Sequence, residues 1–191
     1  MQIINLHRRL LAGTVLIFLA SYLFSLVIWI QIKDGYGYAM TVTASKFAAA
    51  IKDARLDEIT REKDSLQATF TSSKAGPDML VDIPVKTSSY TFNAPLTFAI
   101  MASLSPFLSR KKQAYAEALS LLFFIHFLYI FSLEVKGLTE VFMERQIETQ
   151  SIIRLGFYQY LWSFTDNMVI RFEPFLIGFY MFMRFRKLPP D

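Results

Sequence analysis

Residues 10–32, LLAGTVLIFLASYLFSLVIWIQI, contain no charged side chain and follow directly on His7, Arg8 and Arg9. About 20 apolar residues in helical form cross the hydrocarbon core of a bilayer. The run is therefore long enough to span one. A secretory signal also starts basic and turns apolar, but its apolar region is shorter and leads to a small-residue cleavage site. Trp29-Ile30-Gln31-Ile32 stands in that place, so the expectation is an uncleaved anchor.

The remaining composition extends this reading. Of the 191 residues, 53% are hydrophobic and only 19% charged, with 19 Phe concentrated in long runs, as in a small polytopic membrane protein. Further spans are expected at 92–108, which holds Pro95 and Pro106, at 114–135, and within 157–185. The expected fold is mainly α: four transmembrane helices in a polytopic membrane protein, with a small extracytoplasmic α+β segment between spans 1 and 2.

Charge distribution orients the chain. Residues 1–9, the loop 109–113 and the end 184–191 carry eight basic residues (Arg8, Arg9, Arg110, Lys111, Lys112, Arg184, Arg186, Lys187) against the single acid Asp191. Residues 33–91 balance eight basic with eight acidic residues, and 136–156 balance three with three. The positive-inside rule then makes both termini cytoplasmic and places 33–91 and 136–156 outside. It also accounts for the +4 formal charge without nucleic acid.

In the outer segment 33–91, Met40, Ala44, Phe47, Ile51 and Ala54 recur at spacings of four and three. This pattern predicts an amphipathic helix with Phe47 and Ile51 on its apolar face, open to local packing, the membrane surface or a partner. Alternation in Leu66-Gln67-Ala68-Thr69-Phe70 and in Val81-Asp82-Ile83-Pro84-Val85 predicts a β-hairpin, with Gly76-Pro77 as its turn signal. Pro84 cannot donate to a ladder, so its strand belongs at an edge.

The candidate site residues are polar groups at membrane depth, where they are costly and suggest function. His126 sits mid-span in LLFFIHFLYIF; a neutral His hydrogen-bonded to another helix is the structural reading, a proton path the functional one. Glu117 and Glu134 are expected at opposite interfaces, solvated, about 25 Å apart along a helix and so not a catalytic pair. In the fourth span, Asn167, Arg171, Pro174 and Gly178 form one stripe, and Asp166, Glu173 and Tyr180 a second. Pro174 takes away the amide that would bond the carbonyl of Ile170, which predicts a kink. Arg171 is expected to reach outward to Asp166 or a lipid headgroup, or to be held by Glu173. Asp166, Asn167, Arg171, Glu173, His126, Phe47 and Ile51 thus form the candidate partner- or ligand-binding set.

Several chemistries lack their residues. The chain has no Cys, which removes disulfides, thiolate metal sites and a cysteine nucleophile. It has no Walker loop, GxGxxG, GxSxG or HExxH. No catalytic set, metal site or cofactor is expected.

The order of parts resembles the exosortase-associated membrane proteins, particularly those accompanying the exosortase H subtype in Gram-negative bacteria. The likeness rests on the anchor helix, the strand Met79-Leu80-Val81-Asp82-Ile83-Pro84-Val85, and the lead-in Asn93-Ala94-Pro95-Leu96. The basic loop Arg110–Lys112 and a last span with Pro174 complete it. Ala94, Arg171 and Glu173 depart from the pattern. The resemblance implies a multi-pass protein of the bacterial inner membrane. It would be a non-catalytic accessory subunit of a protein-sorting system, in contact with membrane lipids and an exosortase-like integral membrane protein. Two other functions stay open: a small transporter or lipid-handling component, and an integral-membrane enzyme acting at the outer face.

Overall fold

A computed structural model describes residues 2–63, 65–72, 79–147 and 151–187, with side chains from residue 11 onward. The elements run α1 (Gln2–Ile51), β1 (Ala54–Glu62), β2 (Ser65–Ser72), β3 (Leu80–Lys86), α2 (Ser88–Thr91), α3 (Asn93–Leu104), α4 (Lys111–Glu144), α5 (Ile152–Phe164) and α6 (Arg171–Phe185). A 3-10 turn, Ser105–Phe107, follows α3, and a π-helical segment, Thr165–Ile170, joins α5 to α6. The protein is mainly helical with one small antiparallel sheet. Two helices, α1 and α4, are long and apolar enough to cross a membrane.

The elements depart from the sequence reading in four places. The first span and the amphipathic helix are one helix, α1, of 50 residues. The expected second span yields the 12-residue α3, which rises only about 18 Å and does not cross a 30 Å core alone. The last helical stretch begins at Ile152 rather than 157, with the Ser151 side chain accepting from the amide of Arg154 at 3.4 Å. The hairpin is in fact a three-stranded sheet in the order β1-β2-β3. β1, ARLDEITRE, escaped notice because its alternation is broken: Leu56 pairs with Phe70 and Glu58 with Thr69, which leaves Asp57 in a bulge. Pro84 does lie on an edge strand, opposite Gln67. The expected turn at Gly76-Pro77 lies outside the described residues.

The chain divides into two units. The first takes residues 1–33, 92–123 and 172–191. Here α3 and α6 pack closely: a Cβ added at Gly178 would stand 2.5 Å from Cγ2 of Ile100. Met101, Leu108, Leu122, Ile177 and Met181 are buried in this unit. At one end Leu108 and Arg186 form an isolated antiparallel bridge. The Ser109 amide donates to the Phe185 carbonyl at 2.7 Å, and the Lys187 amide to the Phe107 carbonyl at 2.9 Å.

The second unit takes residues 34–91 and 124–171. Period-2 alternation in β2 and β3 turns Leu66, Ala68, Phe70, Val81, Ile83 and Val85 inward. Of these, Ala68, Phe70, Val81 and Ile83 meet Ala48 and Ala49 of α1 and Val135, Leu138 and Phe142 of α4, and Val85 joins a second cluster with Ala44, Tyr129 and Ile130. Gly137 permits the approach of α4 to the sheet, since a Cβ there would lie 3.1 Å from Cδ1 of Ile83. The inward face of α1 is the row of small residues, Thr41, Ala44, Ser45, Ala48 and Ala49, whereas Phe47 and Ile51 are 56% and 54% exposed. Packing thus uses a different face from the one the large apolar residues marked, because small side chains let helix backbones approach.

Candidate functional site

Among the described residues, buried and half-buried polar groups collect in the second unit, where parts of α1, α2 and α4 meet. Tyr36, Thr41 and Ser45 come from α1, Tyr90 from α2, and His126, Tyr129 and Glu134 from α4. On α4, His126, Ile130 and Glu134 are each four residues apart and share one face. On α1, Gly37, Thr41 and Ser45 repeat the same spacing. These two portions run in the same direction: Tyr36 meets His126, and nine residues further on Ser45 meets Glu134.

His126 is fully buried. The Tyr36 hydroxyl lies 2.6 Å from its Nδ1, and the rings of Tyr36 and Tyr90 stand edge-on to it at 5.6 and 5.1 Å. The hydroxyl of Tyr90 sits 3.5 Å from the carbonyl of Gly37. Burial pushes the Tyr90 phenol above its ordinary value, so it stays protonated and available as a donor. Thr41 returns its hydroxyl to the Gly37 carbonyl at 2.9 Å, satisfying itself within its own helix. Glu134 is also fully buried; Oε1 accepts from the Ser45 hydroxyl at 2.6 Å, and Oε2 has no hydrogen-bond partner among the described residues. Glu134 therefore corrects the sequence reading, which had it solvated at an interface. Its position four residues past Ile130 on the His126 face was the signal that would have found it.

The fourth-span candidates separate. The π segment inserts an extra residue per turn immediately before α6, so positions before and after it no longer share the straight-helix phase. The segment ends at Ile170, four residues before Pro174, and α6 continues through the proline. Asn167 and Arg171 are exposed and Pro174 and Gly178 buried, so they do not form one stripe. Asn167 donates to the Ser163 carbonyl one turn back at 3.0 Å. Arg171 makes no ion pair with Asp166 or Glu173 among the described residues. Glu173 lies in the first unit, fully buried, and its Oε2 accepts from Nδ2 of Asn93 at 2.9 Å. Glu117, half-exposed, pairs with Arg184 at 3.2 Å.

Phe47 and Ile51 present apolar surface, with the Phe47 ring edge-on to Phe127 at 5.3 Å. A second apolar surface belongs to α5, none of whose residues is fully buried. It attaches to its unit through Tyr158, whose ring lies 5.5 Å from Lys52 Nζ, and through Trp162, 4.9 Å from Lys136 Nζ. Its other face exposes Ile152, Ile153, Phe157, Tyr160 and Phe164. Phe157, Tyr160 and Phe164 fall in the expected fourth-span stretch 157–185, whereas Ile152 and Ile153 fall in the expected loop 136–156.

Chemically, the buried groups hold protons and hydrogen bonds within a closed interior. Among the described residues no group of three or more His, Asp or Glu side chains is placed to hold a metal ion. Compared with protein-family models, curated proteins and solved structures, the chain matches none.

Proposed function

We propose that the chain is a multi-pass membrane protein acting as a non-catalytic accessory subunit of a larger membrane assembly, of the exosortase protein-sorting type. The observation that carries the accessory role is the outer face of α5. Ile152 and Ile153 are 85% and 87% exposed, and Phe157, Tyr160 and Phe164 continue the same apolar row. A contiguous apolar face marks a contact with membrane or protein. His126, Glu134 and Glu173, by contrast, are turned inward and each meets a hydrogen-bond partner, as in a scaffold. In this reading the chain crosses the inner membrane four times with both termini cytoplasmic, the short α3 making its passage together with the turn that follows it.

Photo-crosslinking residues at Phe157 and Tyr160, introduced singly into the full chain in its native membrane, test the role. A crosslinked multi-span protein with a catalytic cysteine supports it; adducts to lipid alone overturn it. Replacement of Phe47 and Ile51 together by Asp tests whether the second apolar surface belongs to the same contact. Loss of the crosslink with insertion unchanged includes it; an unchanged crosslink removes it. Orientation is tested separately by Glu62→Cys and Gln113→Cys in this cysteine-free chain. An impermeant maleimide labels the first and spares the second on spheroplasts, and the reverse pattern overturns the orientation.

A transport role draws on a different observation, the fully buried His126 and Glu134. It requires that Glu134→Gln abolish uptake in proteoliposomes, whereas an accessory subunit tolerates that change.

A further inference from the structure

We propose that the first unit holds one anionic phospholipid, its headgroup on the basic end of the unit and one acyl chain in the cleft between α1, α3 and α4. This rests on the membrane placement above and not on the accessory role. The cleft has a volume of about 410 Å³ and is walled by Phe24, Ile28 and Trp29 of α1, Phe98 and Ala102 of α3, and Tyr115 of α4.

Size decides between the two apolar occupants a membrane offers. A helix 10–12 Å across fills on the order of 120 Å³ per residue, so the cleft would take roughly one turn. A methylene group is near the size of a water molecule, ~30 Å³ in the liquid, so the same space takes a chain of about a dozen carbons. The cleft fits an acyl chain.

Charge decides the headgroup. Lys111 and Lys112 stand four and three residues before Tyr115 on α4, one turn from the cleft wall and on its side of the helix. They are not alone. The bridge between Leu108 and Arg186, with Ser109 donating both its amide and its hydroxyl to the Phe185 carbonyl at 2.7 and 2.8 Å, fastens the loop to the end of α6. That gathers Arg110, Lys111, Lys112, Arg186 and Lys187, all exposed, at one end of the unit. Among the described residues the acid nearest to them along α4, Glu117, is paired with Arg184. The backbone connections fix the cations before any ligand arrives, which lowers the ordering cost of binding. Clusters of basic residues beside a span attract anionic lipid, at about five-fold in affinity per residue.

Trp29 reports on the cleft. With Trp162→Phe, Trp29 is the sole tryptophan of the full-length chain. The protein is reconstituted with acyl-brominated phosphatidylglycerol or acyl-brominated phosphatidylcholine, each at the same fraction in unbrominated phosphatidylcholine. The expected result is stronger quenching by the anionic lipid. Lys111→Gln with Lys112→Gln lowers that preference on the order of ten-fold or more. Ala102→Phe, which fills the cleft, reduces quenching by both lipids. Equal quenching by the two lipids overturns the proposal, as does a preference that survives the double lysine change. If the chain fails to float with vesicles, the membrane reading fails first, and the proposal with it.

Discussion

The hydroxyl of Ser45 donates to Oε1 of Glu134 at 2.6 Å, and both side chains are fully buried. A glutamate withdrawn from water keeps its place at a cost that the remaining hydrogen bonds must offset. Among the described residues Ser45 supplies the one hydrogen bond to the carboxyl, from the small-residue face by which α1 packs. The pair therefore couples the register of α1 and α4 to the satisfaction of a polar group.

The prediction is that Ser45→Ala destabilises the protein by about 1–3 kcal/mol, the penalty for leaving a buried acceptor without its donor. Ser45→Ala combined with Glu134→Leu recovers part of the loss, because neither polar partner then remains. Thermal unfolding in detergent, followed by near-ultraviolet circular dichroism, reads both. A single mutant as stable as the parent shows the bond contributes nothing.

The apolar helices α1 and α4 and the two alternating strands were legible because each rests on local sequence pattern, and the edge position of Pro84 because proline has no amide to donate. What escaped is non-local. Glu134 is one carboxylate at the end of an apolar run; its place on the His126 face was the one local sign that it is interior, and Ser45 meets it from 89 positions away. The expected apolar face of the outer segment holds for Met40, Ala44 and Ala54, which pack against the cores, whereas Phe47 and Ile51 are exposed and the small Ala48 and Ala49 take the interior in their place, because close packing selects small side chains. In the fourth helical stretch, the stripe through Asn167 and Pro174 assumed a straight α-helix, and the π segment changes its phase. His126 was found, but not its partner Tyr36, 90 positions away.

Gly178 and Gly156 should respond oppositely to alanine. At Gly178 a methyl group would meet Cγ2 of Ile100 at 2.5 Å, so Gly178→Ala costs about 1–3 kcal/mol by overpacking. Ile100→Ala in that background restores part of it. Nothing lies within 4 Å of a Cβ at Gly156 in α5, where alanine gains about 0.5–1 kcal/mol from helix propensity. Unfolding midpoints of the three variants decide; a neutral Gly178→Ala would show that α3 and α6 are not in close contact.

Acid should loosen β1 from β2. The Asp57 carboxyl accepts from the Thr71 hydroxyl on the neighbouring strand and from Nε of Arg55 at 2.7 Å, and the Thr71 bond, first, holds it below the ordinary carboxylate range. A depressed folded-state value means its stabilisation is present above about pH 4 and is lost as pH falls through the folded-state value. Amide exchange in β1 and β2 should rise at pH 3 relative to pH 6, and Thr71→Val should remove most of that difference. Exchange that does not depend on Thr71 assigns the acid response elsewhere.

Arg171 and Asn93 should separate stability from function. Asn93 donates to a fully buried glutamate, Glu173, and leaving a buried acceptor without its donor costs about 1–3 kcal/mol. Asn93→Ala should therefore lower the unfolding midpoint and the amount of protein in the membrane together. Arg171 is exposed, three residues before the buried Pro174, and makes no ion pair among the described residues. Arg171→Leu should change stability by less than about 0.5 kcal/mol, as surface substitutions do. Its effect on the crosslink formed at Phe157 then has a single interpretation. A weakened crosslink at unchanged abundance places Arg171 in the contact with the partner. An unchanged crosslink makes it an arginine that reaches to the lipid headgroups and nothing more. If Arg171→Leu instead lowers abundance as Asn93→Ala does, the arginine has a structural partner, and the exposed position at the end of the π segment is wrong.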